Sequence, residues 1–334
     1  MLSFLRRKFS SILSFPILTI ATLLLTVACS TQSTNLSPPI AVSTIPWIGY
    51  SGHYIGVAGG FFKEQGLSIQ DVTFKNPTEE SAAFLAKKID IGWFNSADAV
   101  QIMAQDPSAK IIYVVDYSNG GDGIIGRGIA SPADLKGKTV AREDILSSKL
   151  LLRVYLEKAG LTEQDVILKN MTADAAADAF ADQQVDVALS FDPYLRKGAK
   201  DGGGKVIFST QGTNLIADVV LVRDELLQAH KNDVKNYLKV IDKSIKLFLA
   251  DDPEALKMAG VRLGASESEV KQQKAQTTFF DAEGNKKIAF NPNHPQNIMA
   301  NLKLTTQAAY DFRLTDKKMD VSTLTNDTLV KAIL

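Results

Sequence analysis

Alternation is the feature of this chain that most limits its possible folds. From residue 40 to about 230, short β-rich runs take turns with segments whose apolar residues recur at helical spacing. The runs 40–46, 67–74, 89–93, 110–115, 138–141, 166–169, 185–190, 205–209 and 219–222 read as strands. Between them 54–62, 79–88 and 97–103 read as helices. So do a helix capped by Ser147-Ser148, with the face Leu151, Val154 and Tyr155, and an Ala-rich helix from Thr172 to Gln183. From Asn232 on the pattern is helical only. Val234, Tyr237, Leu238, Ile241, Ile245, Phe248 and Leu249 form one stripe, and Asp252-Pro253-Glu254 gives the next helix a cap, a first-turn proline and an acid. Alternation of this kind predicts an α/β fold with mostly parallel sheets covered by helices, and it places a binding site in loops at the carboxyl ends of strands. With 334 residues, 45% of them apolar, the chain can bury two cores.

The first residues stand apart. MLSFLRRK carries Arg6, Arg7 and Lys8 and no acid, residues 9–28 are uncharged and apolar or small, and Cys29, the one cysteine, follows. The stretch is long enough for a membrane anchor. Its N-terminal place, positive flank and small-residue end fit a secretory signal peptide better. Leu25-Thr26-Val27-Ala28-Cys29 resembles a bacterial lipobox, with Thr26 where that pattern usually has Leu. The resemblance implies cleavage before Cys29 and a lipid on its sulfur. Residues 30–39, STQSTNLSPP, bury almost nothing and read as a tether. The expected organisation is a lipoprotein signal peptide over 1–28, a lipidated Cys and flexible tether over 29–39, and an exported body held at the periplasmic or cell-surface face of a bacterial membrane.

Other classes fail on composition and motif. Lys+Arg and Asp+Glu both number 37, and without its leader the chain is slightly acidic, so no basic face for nucleic acid is expected. His53, His230 and His294 are far apart, and neither HExxH nor GxSxG occurs, so no metal centre and no Ser/His hydrolase is expected. Gly137-Lys138-Thr139 lacks the first glycine of a phosphate loop, with Pro132 in its place, and precedes a strand instead of following one. No cofactor is expected.

Seven segments fall in a telling order: GHYIGVAGGFFKEQGL (52–67), KKIDIGWFNSADAV (87–100), DYSNGGDGIIGR (116–127), SPADLKGKTVA (131–141), LEKAGLTEQDV (156–166), ADQQVDVALSFDPYL (181–195) and ADVVLVRDELL (217–227). Together they resemble the substrate-binding proteins of ABC importers, in the subfamily that takes sulfonates, taurine, nitrate, bicarbonate and thiamine precursors. DYSNGGDGI resembles most the branch associated with urea, amide and guanidine compounds. The resemblance implies a two-lobe periplasmic binding protein fold (type II), each lobe a mainly parallel sheet flanked by helices. Lobe 1 is then 40–118 plus 220–334 and lobe 2 is 119–219, with crossing segments near Asp116–Gly128 and Leu215–Val222. It implies a monomer that closes on one small molecule and docks on a membrane permease served by an ATPase. Enzymes that resemble this family carry a cysteine-rich iron motif, which a chain with one cysteine lacks, so no catalytic activity is expected.

The ligand class is read from the residues. The cleft loops carry Asp116, Asp122, Glu143, Asp192 and Asp218 against Arg127, Arg142 and Lys149. Desolvated carboxylates facing an anion would cost several kcal/mol. An acidic cleft suits a nitrogen-rich cation, or an amide-, guanidine- or urea-like molecule, with Trp47 offering a π face and Asn95 an amide. The candidate set is Trp47, His53, Asn95, Asp116, Tyr117, Asp122, Glu143, Ser147, Asp192 and Asp218. Structural roles stand beside these: packing for Trp47 and Tyr117, a helix cap for Asn95, Ser147 and Asp192, a satisfied loop histidine for His53, a solvated turn for Glu143, a hinge brace for Asp218. The alternative ligand is an oxyanion or sulfonate (nitrate, bicarbonate, taurine, alkanesulfonate) or a thiamine-precursor pyrimidine.

Overall fold

The computed structural model describes residues 39–334; the expected signal peptide, Cys29 and the tether through residue 38 lie outside the described residues. Strands β1 (Ile40–Thr44), β2 (Ile69–Thr73), β3 (Ile91–Asn95) and β4 (Ala109–Ser118) begin a first sheet, and the chain then crosses at 119–121. A second sheet takes β5 (Asp122–Gly126), β6 (Thr139–Arg142), β7 (Ile167–Asn170), β8 (Val187–Phe191) and β9 (Lys205–Ser209). The chain returns through 210–216 and adds β10 (Ala217–Arg223) and β11 (Thr277–Phe279) to the first sheet. The return therefore ends where β10 begins at Ala217, so it overlaps the crossing expected at Leu215–Val222 only at residues 215–216, and the rest of that segment is strand. The strand orders are β11-β4-β10-β3-β1-β2 and β7-β6-β8-β5-β9. Helices flank both sheets, giving a two-lobed α/β molecule.

Both sheets are mixed where mostly parallel ones were expected. β1 pairs parallel with β2 and β3, and β6 with β7 and β8. β10 runs antiparallel between β3 and β4, and β5 antiparallel between β8 and β9. The crossings are the cause. β5 and β10 start where the chain enters a lobe, which is where the neighbouring strands end, so they must run the other way. Entry and exit ends thus meet at one level, and the two sheets present that level to each other.

Local boundaries follow burial. Residues 47–53, the stretch between the expected strand 40–46 and the expected helix 54–62, form a 3-10 turn (Ile48–Tyr50) running into a helix (Ser51–Ala58), because Ile48, Tyr50, Tyr54 and Ile55 are all buried. The helix Pro77–Leu85 starts at Asn76, whose side chain accepts the Glu79 N–H at 2.9 Å; Lys87 and Lys88 lie beyond its end. The long helix Lys231–Leu249 buries Val234, Tyr237, Leu238, Ile241, Ile245 and Phe248 as its spacing predicts, while Leu249, its last residue, is 41% exposed. Asp252 caps the following helix by accepting the Ala255 N–H at 3.0 Å. Among the described residues, no helix is long and apolar enough to cross a membrane.

Candidate functional site

A cavity of about 40 Å³ lies where the strand ends of the two lobes face each other. One water needs roughly 10–15 Å³ by the same measure, so this is room for a body of only a few heavy atoms. The register builds its floor. Asp218, second in β10, pairs with Asn95 at the end of β3 and with Asp116 near the end of β4. Across the cleft, Asp122 at the start of β5 pairs with Phe191 at the end of β8. The lining joins Trp47, Tyr50, Asn95 and Asp218 of the first lobe to Asp122, Glu143, Ser147 and Ser190 of the second, over apolar walls of Ile45, Ile145, Leu151, Leu189, Phe191 and Ile216.

Three carboxyl groups, those of Asp122, Glu143 and Asp218, line this cavity, and burial decides their charge. Burial raises Asp122 to about 8, with Asp218 adding to the rise. Burial likewise raises Asp218 to about 6, held down by hydrogen bonds, among them the Tyr50 hydroxyl that donates to its Oδ1 at 2.9 Å. Glu143 is raised by burial; one of its oxygens accepts from the Thr78 hydroxyl across the cleft, and Oε2 is buried without a partner. The Trp47 Nε1 is also buried without a partner. Near neutral pH Asp122 therefore keeps its proton, while Asp218 is largely ionised.

The three nearby bases turn elsewhere. Arg142 bonds Asp144 at 3.1 Å and Glu163 at 3.3 Å, and Lys149 bonds Asp144 at 2.8 Å. Arg127 donates to the Gly202 and Phe180 carbonyls and stacks 4.4 Å over the Phe180 ring. Among the described residues, no arginine or lysine lines the cavity.

Six of the sequence candidates meet here: Trp47, Asn95, Asp122, Glu143, Ser147 and Asp218. Four do not line the cavity. His53 lies on a helix, fully buried, with Nε2 3.2 Å from Asp71 Oδ1 and Nδ1 3.1 Å from the Tyr237 hydroxyl; it is a core histidine. Asp116 is the cross-strand partner of Asp218, with both oxygens buried and unpartnered, and a Cβ on Gly49 would run into it. Burial first, and Asp218 second, hold it well above the usual carboxylate range. Tyr117 follows Asp116 on a strand, so it faces the other way and packs edge-on against Phe280. Asp192 accepts the Arg196 backbone N–H at 3.2 Å and its Nε at 2.7 Å, which ties it to the helix Tyr194–Asp201. Ser147 is not a cap: its helix is Leu146–Glu157, begun at the extended Ile145, so the hydroxyl sits inside the first turn.

Sequence reasoning missed Tyr50, Glu80 and Asp98. Acids in the first turn of a helix ordinarily face water and complement the helix dipole. Here Glu80 is 1% and Asp98 3% exposed. Burial raises Asp98 to about 7 and Glu80 well above its usual range. The Asn95-x-x-Asp98 spacing, a capping arrangement at a strand end, was the available signal.

Comparison with known proteins agrees with this architecture. The family model described as NMT1/THI5 like matches residues 47–255. A Brucella abortus (strain 2308) protein, named as a binding protein, is 26% identical over 208 residues, 59% of this chain and 65% of that protein. A Bacillus subtilis (strain 168) protein, named as an aliphatic sulfonates-binding protein, is 24% identical over 188 residues, 55% of this chain and 57% of its own length. The matches thus span somewhat less than two thirds of these relatives. The crystal structure of the periplasmic aliphatic sulphonate binding protein SsuA from Escherichia coli superposes with a TM-score of 0.71 at 20% identity, covering 87% of this chain and 92% of that one. The shared fold is that of periplasmic binding proteins.

Proposed function

Since this chain belongs to the NMT1/THI5-like family, we propose that it is the solute-binding component of an ABC importer, taking up a small nitrogen-rich ligand: a cation, or an amide-, guanidine- or urea-like molecule. One observation carries the ligand class: a cavity lined by carboxyl groups from both lobes and, among the described residues, by no arginine or lysine. Lobe closure on the ligand fits the geometry, because contacts made from both sides exist only when the lobes meet. Binding is the proposed role, with delivery to a membrane permease and its ATPase. On this reading the chain is an exported monomer, tethered to the membrane through a lipid on Cys29.

The sulfonate-binding names among the relatives favour a second reading, an oxyanion or sulfonate ligand. Such a ligand needs donors aimed inward, and the cavity is lined by neutral donors only, the Trp47 and Asn95 N–H groups and the hydroxyls of Tyr50, Ser147, Ser148 and Ser190. A thermal-shift panel on the full chain separates the two: guanidinium, methylamine, urea and acetamide against taurine, nitrate and bicarbonate. A nitrogen compound at a hundred times its Kd should add about 2.7 kcal/mol of stability. Stabilisation by the anions alone would replace the first reading with the second.

A further inference from the structure

Asp98 does not line the cavity, yet it is bonded to two residues that do, and these come from opposite lobes. It occupies the first turn of the helix Ser96–Gln105. Its N–H donates to Asn95 Oδ1 at 2.9 Å, and its Oδ2 accepts from Asn95 Nδ2 at 2.5 Å. The backbone donor fixes which end of the Asn95 amide is oxygen, so one Nδ2 hydrogen is left for other partners. From the second lobe, Ser147 Oγ donates to Asp98 Oδ1 at 3.2 Å. One turn along the same helix, Gln101 Oε1 accepts the Leu146 N–H at 3.3 Å, a further contact across the cleft.

We infer that Asp98 is a positioning residue that bolts Asn95 and Ser147 in register across the cleft, so that the cavity walls are complete only when both lobes meet on its carboxyl group. This rests on the reading of the cavity as the ligand site. An alanine at this position can hold neither partner. An asparagine can hold both without a charge, accepting from Asn95 with its oxygen and, with the Ser147 bond reversed, donating to Ser147 Oγ with its nitrogen.

The charged groups facing Asp98 are mainly acids: Glu143 from the loop after β6, Glu80 from the helix Pro77–Leu85 and Asp122 from β5. Lys149, on the facing helix, is paired with Asp144. Closure keeps Asp98 buried among these acids and so favours its protonated form, raised to about 7. By linkage, raising the pH through that value charges Asp98 and loosens the bolt in the ligand-free protein.

Acrylamide quenching of tryptophan emission from the full, ligand-free chain tests this. Trp93 is fully buried within the first lobe, whereas Trp47 packs across the cleft against Phe191, 6.3 Å between ring centroids. Quenching therefore reports opening. In the wild type it should be low at pH 5.5 and rise as the pH passes about 7. Asp98→Ala should be quenched at both pH values, its closed-to-open ratio lowered about fivefold, as expected for one lost hydrogen bond. Asp98→Asn should stay protected at pH 5.5 and open less steeply with pH than the wild type. Asp98→Ala as protected as the wild type at pH 5.5, or Asp98→Asn opening with the wild-type pH profile, would overturn the inference. The quenching pattern with no stabilisation by any compound in the panel would keep the bolt and remove the ligand site. Stabilisation by guanidinium with unaltered Asp98→Ala quenching would do the reverse.

Discussion

Asp218→Asn should weaken binding of a cationic nitrogen ligand such as guanidinium by about 100-fold, within the 2–5 kcal/mol typical of truncating one partner of a buried, hydrogen-bonded charge pair. Asp218 is 3% exposed and faces the cavity from the β10 position that pairs with both Asn95 and Asp116. Asparagine keeps the shape and still accepts from the Tyr50 hydroxyl, so the change removes charge while leaving the local packing in place. The ligand-free protein should lose no stability above pH 6, because the wild type there must ionise a carboxyl whose folded value is raised to about 6 beside the buried Asp116. Asp192→Asn is the control. That carboxylate is tied to Arg196 and does not line the cavity, so guanidinium affinity should stay within about threefold. Calorimetric titration of both variants, with thermal melts of the ligand-free forms, reads all of these outcomes. Equal affinity losses in the two variants would show that the cavity carboxylate has no special role.

Gly121→Ala should have the second largest effect. Gly121 lies in the first crossing, next to Gly120, whose φ of +118° favours glycine. A Cβ on Gly121 would run into the Trp47 indole, which forms part of the cavity wall and packs against Phe191 of the other lobe. The ring must shift, or the lobes must stay apart. Overpacking of this kind typically costs 1–3 kcal/mol, so affinity should fall roughly 5- to 150-fold. Each lobe keeps its core, so far-UV circular dichroism should be unchanged. An alanine variant that binds guanidinium as tightly as the wild type would show that Trp47 and the first crossing do not shape the site.

Much of the fold was legible because its signals are local. The stripe from Val234 to Phe248 and the Asp252-Pro253-Glu254 start are read directly from spacing and capping chemistry, and both occur as expected. Strand direction was not legible. Whether β5 and β10 run with or against their neighbours depends on where the chain enters each lobe, and no residue within those strands encodes that. The site divides in the same way. Asp122, Glu143 and Asp218, which line the cavity, were legible because acids near strand ends and crossings are conspicuous. Asp98 and Glu80 were hidden because a buried acid in a first turn has the same sequence signature as a solvated one. His53 misled for a related reason: Gly49 and Gly52 suggested a loop, but the buried Ile48, Tyr50, Tyr54 and Ile55 impose helical turns and carry the histidine into the core. Bases were harder still. Nothing in the sequence says that Arg142 and Lys149 spend their charge on Asp144, leaving the cavity to the acids.

The central claim, a cavity whose carboxyl groups receive a cation, has a sign that pH reveals. Asp218 and Asp122, which line it, are raised to about 6 and 8 in the ligand-free fold. Their contribution to stability is therefore fully present near pH 4 and is lost as the pH rises through those values. A bound cation reverses the preference by stabilising the ionised forms, so binding must release protons. Calorimetric titration of guanidinium into the full chain from pH 5.5 to 8.5, repeated in buffers of different ionisation enthalpy, measures this directly. The account predicts that affinity climbs across the range and levels off above about pH 8, with net proton release at pH 6–7. Binding of taurine or nitrate in preference to guanidinium, tightening as the pH falls and taking up protons, would contradict it.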